Sequence, residues 1–130
     1  MSKLILGVFV ITMFLSCDNP KRAILGKWMM HQVIQDGKEV TQEHNPKNER
    51  YIILDENETF VSGGAPFGEN AGKYDFNPRE KTLFIDSDGG VDDDSHWKVS
   101  FEDRKMIWQG VGTEWAEGFK IIYIRPKRDS

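Results

Sequence analysis

Apolar and polar residues alternate with a period of two along most of the chain after residue 25. Trp97, Val99 and Phe101, for example, are separated by polar residues. Phe119, Ile121 and Tyr123 occupy every second position of the segment 118–125, with a lysine and two isoleucines at the positions that follow them. This period is typical of β-strands that bury one face. The pattern predicts eight strands, at residues 26–34, 50–55, 59–63, 72–76, 82–86, 96–102, 105–110 and 118–125. No segment has a long helical pattern, so the chain is predicted to be all-β.

The connections between the predicted strands fall into two classes that alternate along the chain. Those at 56–58, 77–80 and 103–104 are short and rich in turn residues, whereas those at 35–49, 64–71, 87–95 and 111–117 are long. In an up-and-down arrangement, successive connections lie at opposite ends of the sheet, so all the long loops meet at one end. The sequence therefore predicts an eight-stranded antiparallel up-and-down barrel with an open end and a closed end.

Counting every second residue from Trp28 predicts which side chains face the interior of this barrel. The predicted interior is large and aromatic, and it comprises Met30, Ile34, Phe60, Tyr74, Phe76, Leu83, Ile85, Trp97, Val99, Phe101, Met106, Trp108, Phe119, Ile121 and Tyr123. A barrel of this size is either filled by its own side chains or able to hold one small ligand. The sequence leaves both alternatives open.

The N-terminal segment has the layout of an export signal. Lys3 precedes an apolar run over residues 4–15, and the small residue Ser16 and the only cysteine, Cys17, follow it. The run is shorter than the roughly 20 residues that span a bilayer. This layout resembles a bacterial lipoprotein signal, in which the chain is cut before the cysteine and the cysteine carries the lipid. The resemblance implies a signal peptide at 1–16, lipid attachment at Cys17 and a linker over 17–23.

Composition narrows the classes of partner. The formal net charge is −4, and the basic residues do not form a stripe, which argues against nucleic acid as a partner. A single cysteine allows no internal disulfide, so the core and the hydrogen-bonded strands must hold the domain together. A hydrophobic content of 38% is sufficient for one packed core.

Three residues at the two ends of the predicted domain carry a resemblance to a known family. Gly26 and Trp28 form a Gly-x-Trp sequence at the start of the first predicted strand, and Arg125 lies at the end of the last one. This arrangement resembles lipocalins, and the chain looks like the small lipocalin-like domains of bacterial lipoproteins of the Bacteroidetes type. The resemblance implies a barrel over 24–126, followed by a tail at 127–130. It also implies that Trp28 lies inside the closed end with Arg125 packed across it.

The candidate binding residues are aromatic. Tyr74, Trp97, Trp108 and Tyr123 are predicted to face the interior, where the two tyrosine hydroxyls would be polar groups in an apolar pocket near the open end. Phe67 and Trp115 lie in the long loops, and large rings there are typical of a ligand entrance or a partner contact. The alternative is that both rings fold back onto the core.

The remaining polar residues give no sign of catalysis. The acidic stretch 86–94 has the oxygen ligands that calcium prefers, but it lacks the spacing of an EF-hand, and a solvated loop explains it as well. His31, His44 and His96 have no metal-site spacing, and no nucleophile lies in a catalytic setting. We therefore expect a binding protein without cofactor, metal or enzymatic activity, held in the bacterial cell envelope by its lipid. Its partner is expected to be a small apolar or amphipathic molecule or, alternatively, another envelope protein.

Overall fold

The computed structural model describes residues 20–90 and 93–127. A 3-10 turn at Pro20–Ile24 leads into the strands, and a single helical turn, α1, spans Thr41–His44. The strands are β1 (Gly26–Gln35), β2 (Lys38–Glu39), β3 (Tyr51–Leu54), β4 (Thr59–Gly63), β5 (Asn70–Asn77), β6 (Thr82–Ser87), β7 (Ser95–Glu102), β8 (Lys105–Val111) and β9 (Phe119–Ile124). The predicted signal peptide at 1–16, the predicted lipid attachment site Cys17 and the last three residues of the predicted tail lie outside the described residues.

The strands form one closed antiparallel barrel, which confirms the predicted fold class. From β3 onward each strand pairs with the next, and β1 pairs with both β3 and β9 and so closes the barrel. The two-residue strand β2 only extends the end of β1. The barrel proper therefore has eight strands, and their bounds agree with the predicted ones to within a few residues.

The two ends of the barrel differ as the loop lengths predict. We call the end that carries residues 36–50, 64–69, 88–90, 93–94 and 112–118 the open end. The opposite end, which carries the turns at 55–58, 78–81 and 103–104 and the 3-10 turn, is the closed end. Each of these tight turns contains a residue with positive φ, namely Glu58, Lys81 and Asp103. Left-handed backbone of this kind lets a short turn join two twisted strands.

A bulge in β1 changes the predicted interior. Met30 pairs with Tyr123, but the next pair is Gln32 with Ile122, so His31 is the extra residue. An extra residue shifts the alternation by one position. Trp28 and Met30 are buried as predicted, but beyond the bulge Val33 is buried and the predicted Ile34 is only half-buried.

The core otherwise follows the predicted alternation. Its buried apolar residues are Ile24, Trp28, Met30, Val33, Ile52, Leu54, Phe60, Tyr74, Phe76, Leu83, Ile85, Trp97, Val99, Met106, Trp108, Ala116 and Tyr123. Phe119 and Ile121 are partly buried against this core. Phe101 was predicted to be interior but is 41% exposed, because it lies at the end of β7 where the closed end meets solvent.

Candidate ligand-binding site

The open end contains a cleft of about 500 Å³ between its loops. The lining combines large rings with polar groups and consists of His44, Arg50, Ser62, Phe67, Gly68, Asn70, Asp93, Trp115 and Phe119. Phe67 and Trp115 are 53% and 49% exposed, so neither ring folds back fully onto the core. Both loop aromatics that the sequence singled out thus lie at the same cleft.

Arg50 is the charged group of this cleft that points into the barrel. It directly precedes β3 and shares the alternation of Ile52 and Leu54, which are buried in the core. Its carbonyl accepts a hydrogen bond from the backbone N–H of Met30 at 2.9 Å, so it continues the pairing between β3 and β1. The guanidinium carbon lies 4.7 Å from the centre of the Phe67 ring. Burial lowers the pKa of Arg50, and the neighbouring Tyr123 raises it.

A buried asparagine fixes the position of Arg50. The side-chain amide nitrogen of Asn45 donates to the carbonyl of Met30 at 2.9 Å, and its oxygen accepts from the backbone N–H groups of Glu49 and Arg50. The Arg50 Nη1 atom in turn donates to the carbonyl of His44 at 3.1 Å. This loop is therefore tied to the barrel wall by hydrogen bonds rather than by an apolar contact.

Sequence reasoning missed both Asn45 and Arg50. An interior position for Arg50 was indicated only by its place two residues before Ile52 in the predicted strand. Residues 50–54 have no clear polar face, so the sequence does not show which side of this strand is buried. Charged residues are also rarely interior. The signal for Asn45 was weaker still, because asparagine before Pro46 is equally typical of an exposed turn.

Trp115 is held at the rim by its own loop. The adjacent Ala116 is completely buried, and it packs so closely on Gly110 that any side chain at position 110 would collide with the Ala116 carbonyl. The backbone N–H of Ala116 donates to the carbonyl of Thr113 at 3.0 Å. The Trp115 ring lies edge-on to Trp97 at a centroid distance of 6.3 Å. Trp115 thus links the rim to the interior rings.

A row of three interior rings descends from this point into the barrel. The centroids of Trp97 and Trp108 are 5.4 Å apart, and those of Trp108 and Tyr123 are 4.8 Å apart. The Trp97 indole N–H donates to the hydroxyl of Ser95 at 2.8 Å. The indole N–H of Trp108 is buried and has no partner among the described residues. These three candidate residues lie together, as the alternation predicted.

Tyr123 lies in the same layer of the barrel as Arg50. Met30 separates the two residues, since it pairs with Tyr123 on one side and bonds to Arg50 on the other. Within the described chain, no hydrogen bond is formed by the Tyr123 hydroxyl. Burial raises the pKa of Tyr123 to about 12, and the positive charge of Arg50 opposes that shift. The hydroxyl therefore keeps its proton and remains a donor over the physiological range.

Tyr74 lies at the opposite end of the barrel from the position that the sequence predicted for it. Its hydroxyl donates to the carbonyl of Asp55 in a closed-end turn at 2.6 Å. Burial, with the charges of Glu58 and Asp55, raises the pKa of Tyr74 to about 12. The prediction for Tyr74 was wrong because the alternation shows which face of the strand a residue occupies. It does not show how far along the barrel axis the side chain lies.

A second cleft, of about 470 Å³, surrounds Tyr74 at the closed end. Two ion pairs of 3.8 Å bridge the 3-10 turn and the turn at 55–58, one between Lys21 and Glu58 and the other between Arg22 and Glu56. Each of these cations thus has an acidic partner, and the two ion pairs connect the 3-10 turn to the turn at 55–58 beside the cleft.

The closed end is completed by Trp28, Arg125 and Gly26. The indole N–H of Trp28 donates to the carbonyl of Ile24 at 2.9 Å, and the guanidinium carbon of Arg125 lies 3.7 Å from the centre of the Trp28 ring. Arg125 Nη1 donates to the carbonyl of Leu25 at 2.7 Å. Gly26 has a φ of 104°, and a Cβ there would lie 2.8 Å from Arg125 Nη1, so this position requires glycine. Burial lowers the pKa of Arg125.

The acidic stretch 86–94 is organised by hydrogen bonds to its own backbone. The backbone N–H of Ser87 donates to the carboxylate of Asp94 at 2.9 Å, and the Asp93 carboxylate packs against Gly89. Residues 91–92 lie outside the described residues. In the part of the stretch that is described, as in the rest of the described chain, no three His, Cys, Asp or Glu side chains are grouped to hold a metal ion. None of the helices in the described residues is long and apolar enough to cross a membrane.

Comparison with known proteins shows the fold. No protein-family model matches the chain, and no curated protein matches it significantly in sequence. The chain is similar in structure to a DUF4847 family protein from Bacteroides vulgatus, solved by crystallography, with a TM-score of 0.59. The two are 12% identical, and the match covers 84% of this chain and 99% of the other. At this identity the similarity supports a common barrel architecture.

Proposed function

We propose that the barrel binds a small amphipathic molecule in the cleft at its open end. The observation that carries this proposal is the pair of half-exposed rings, Phe67 and Trp115, at one cleft of about 500 Å³. Clefts of this size that combine apolar rings with a few polar groups are typical of small-molecule sites. Phe119 extends the apolar lining, and His44, Arg50 and Asn70 supply polar atoms.

We further propose that a lipid on Cys17 tethers the domain to the bacterial cell envelope. The described chain begins at Pro20, in the 3-10 turn at the closed end, three residues after Cys17. A tether of that length would hold the closed end at the membrane and direct the cleft away from it. Protease accessibility or labelling that places Trp115 against the bilayer would contradict this orientation.

The second candidate function is contact with another envelope protein. Its support is the interior itself, because Trp97, Trp108 and Tyr123 are all buried and stack on one another. A filled barrel leaves only the rim for recognition, and exposed aromatic rings are frequent in protein interfaces. In that case Phe67 and Trp115 would contact the partner protein instead of a small molecule.

Native mass spectrometry of the full chain, titrated with the neutral amphiphile 1-decanol, separates the two candidates. We expect a decanol adduct whose affinity falls by about tenfold or more in Phe67→Ala and in Trp115→Ala, since each change removes a large apolar contact. Phe101→Ala is the matched control, because Phe101 is similarly exposed but lies at the closed end. Failure of decanol and of its carboxylate, phosphate and amine counterparts to bind, or equal weakening in all three variants, would contradict binding at the open end.

A further inference from the structure

We infer that the molecule bound at the open end carries an oxyanion, a carboxylate or a phosphate, which lies on Arg50 while its apolar part contacts Phe67 and Trp115. This inference rests on the proposed function and specifies the chemistry of the head group. It starts from the position of Arg50, a guanidinium that points inward from the barrel wall and lines the cleft.

The guanidinium of Arg50 has donors left for a ligand. It carries five N–H groups, and within the described residues its only hydrogen bond runs from Nη1 to the His44 carbonyl. No carboxylate of the described chain is within ion-pair distance of it. A charge that is partly removed from water is normally paired, because desolvation is costly. An arginine fork without a carboxylate matches the geometry of an oxyanion.

Two further donors lie in the core of the barrel, outside the lining of the cleft. The Tyr123 hydroxyl is a protonated donor without a partner in the described chain, in the same barrel layer as Arg50. The Trp108 indole N–H is buried, lacks a partner among the described residues, and belongs to the ring that stacks on Tyr123. Buried polar groups are almost always hydrogen-bonded. Neither residue lines the cleft, so the expected oxyanion contact is with Arg50.

The acidic residues around the cleft do not neutralise Arg50. Asp93 is the only carboxylate among the described residues that line the cleft, and it packs against Gly89. Glu49, Glu69 and Glu114 are exposed on the surrounding loops. Surface charges are screened over about 8 Å at physiological salt, whereas a ligand on Arg50 would be in direct contact. We therefore expect the short-range pairing to determine the sign of the preferred head group.

The stacking of Phe67 on Arg50 joins the polar and the apolar part of the site. The ring centre lies 4.7 Å from the guanidinium carbon, and Phe67 also lines the cleft. The ring holds the guanidinium plane without consuming its N–H donors. A head group on Arg50 therefore places the first carbons of an attached chain beside Phe67.

The test compares four decyl compounds on the full chain by native mass spectrometry. Decanoate and decyl phosphate carry an oxyanion, 1-decanol is neutral, and decylamine is a cation. We expect at least one oxyanion to bind about tenfold more tightly than decanol, and decylamine to bind most weakly. The ratio of decanoate to decyl phosphate identifies the head group. Equal binding of all four, or tightest binding of decylamine, would overturn the inference.

Variants of Arg50 assign the preference to this residue. Arg50→Gln should reduce oxyanion affinity by about tenfold and change decanol affinity by less than about twofold. Arg50→Lys should retain part of the preference, because it keeps the charge but loses the fork. Arg79→Gln, an exposed change at the closed end, is the matched control for loss of one positive charge. An oxyanion preference that survives in Arg50→Gln would contradict the assignment.

The failure of this inference differs from failure of the proposed function. If none of the four compounds binds, the proposed function fails and the inference fails with it. If decanol binds at the open end and the oxyanions show no advantage, the proposed function stands and only the role of Arg50 is wrong. The comparison of compounds on the unaltered chain decides this even if an Arg50 variant does not fold.

Discussion

The two ends of the barrel satisfy the same kinds of side chain to different extents. At the closed end, the Trp28 indole and the Arg125 guanidinium donate to the backbone carbonyls of Ile24 and Leu25, and the two side chains stack on each other. Arg50 lines the cleft at the open end, and among the described residues its guanidinium donates only to the carbonyl of His44. Satisfied polar groups stabilise a fold, whereas unsatisfied ones at a cleft are available to a ligand. We therefore expect the closed end to determine stability and the open end to determine recognition.

The largest difference between the ends is expected for tryptophan removal. Trp28→Ala deletes a buried ring and its hydrogen bond, and it should lower the free energy of unfolding by about 3–5 kcal/mol. Trp115→Ala removes a ring that is 49% exposed and should cost less than about 2 kcal/mol. Urea denaturation followed by circular dichroism measures both values. Equal losses of stability in the two variants would contradict the division between the ends.

The tyrosines sharpen the comparison through alkaline pH. Both Tyr74 and Tyr123 have pKa values raised to about 12, above the ordinary value near 10, so the unfolded chain loses these protons first. Stability is therefore retained below pH 10 and lost as the pH rises toward 12. For the buried Tyr123 the loss should be on the order of 2 kcal/mol at pH 12.

Phenylalanine variants separate the two tyrosines. Tyr74→Phe should destabilise the protein at neutral pH by about 1 kcal/mol, because it removes the hydrogen bond to Asp55. Tyr123→Phe should leave neutral stability nearly unchanged, because its hydroxyl has no partner in the described chain, and should reduce the loss at alkaline pH. Urea denaturation at pH 7 and pH 11 distinguishes these outcomes. A neutral-pH cost in Tyr123→Phe as large as that in Tyr74→Phe would contradict the unpartnered state.

Removal of the two arginines is expected to have effects of different size. Arg125→Gln loses its hydrogen bond to Leu25 and its packing on Trp28, which should cost about 1–2 kcal/mol of stability. Arg50→Gln loses a hydrogen bond to His44 but also removes a half-buried charge that has no carboxylate partner among the described residues, so stability should change by less than about 1 kcal/mol. Thermal unfolding of both variants provides the measurement. A clear loss of stability in Arg50→Gln would show that Arg50 supports the fold.

The smallest effect is expected from the ion pair between Arg22 and Glu56. Both side chains are largely exposed, at 67% and 79%, so the pair should contribute less than about 1 kcal/mol. Arg22→Gln should therefore change stability little, and high salt should remove the difference from the unaltered chain. A double variant with Glu56→Gln, compared with each single variant, measures the coupling energy. A coupling energy above about 2 kcal/mol would show that this ion pair contributes substantially to the stability of the closed end.

The strands were predictable because each of them alternates independently. The bounds of β4, β6 and β8 need only local residues, since an exposed and a buried face repeat every two positions. The bulge at His31 was not predictable, because an extra residue in β1 is defined only by its pairing with β9, roughly ninety residues further along the chain. Because of that bulge, Val33 is buried in the core instead of the predicted Ile34.

The site was predictable only in its aromatic part. Phe67 and Trp115 were identifiable because large rings are unusual in long polar loops. Arg50 was missed because the sequence does not show that its guanidinium lacks a carboxylate partner. That property depends on which residues surround it in the folded chain. Tyr74 was assigned to the wrong end because the tilt of strands in a closed barrel sets the height of each side chain. The face that a residue occupies can thus be predicted from its neighbours in the sequence. Its height along the barrel axis and its contacts depend on the whole fold.

The closure of the barrel through β1 has a consequence for the order of folding. β1 is the first strand of the chain and β9 the last, and their pairing joins residues such as Gln35 and Phe119. Contacts between residues so distant in sequence form late and slow the folding of β proteins. Until β9 is present, β1 has an unpaired edge that can join strands of other chains. We therefore expect a chain that is synthesised from its N-terminus to leave this edge of β1 exposed until the final strand is complete.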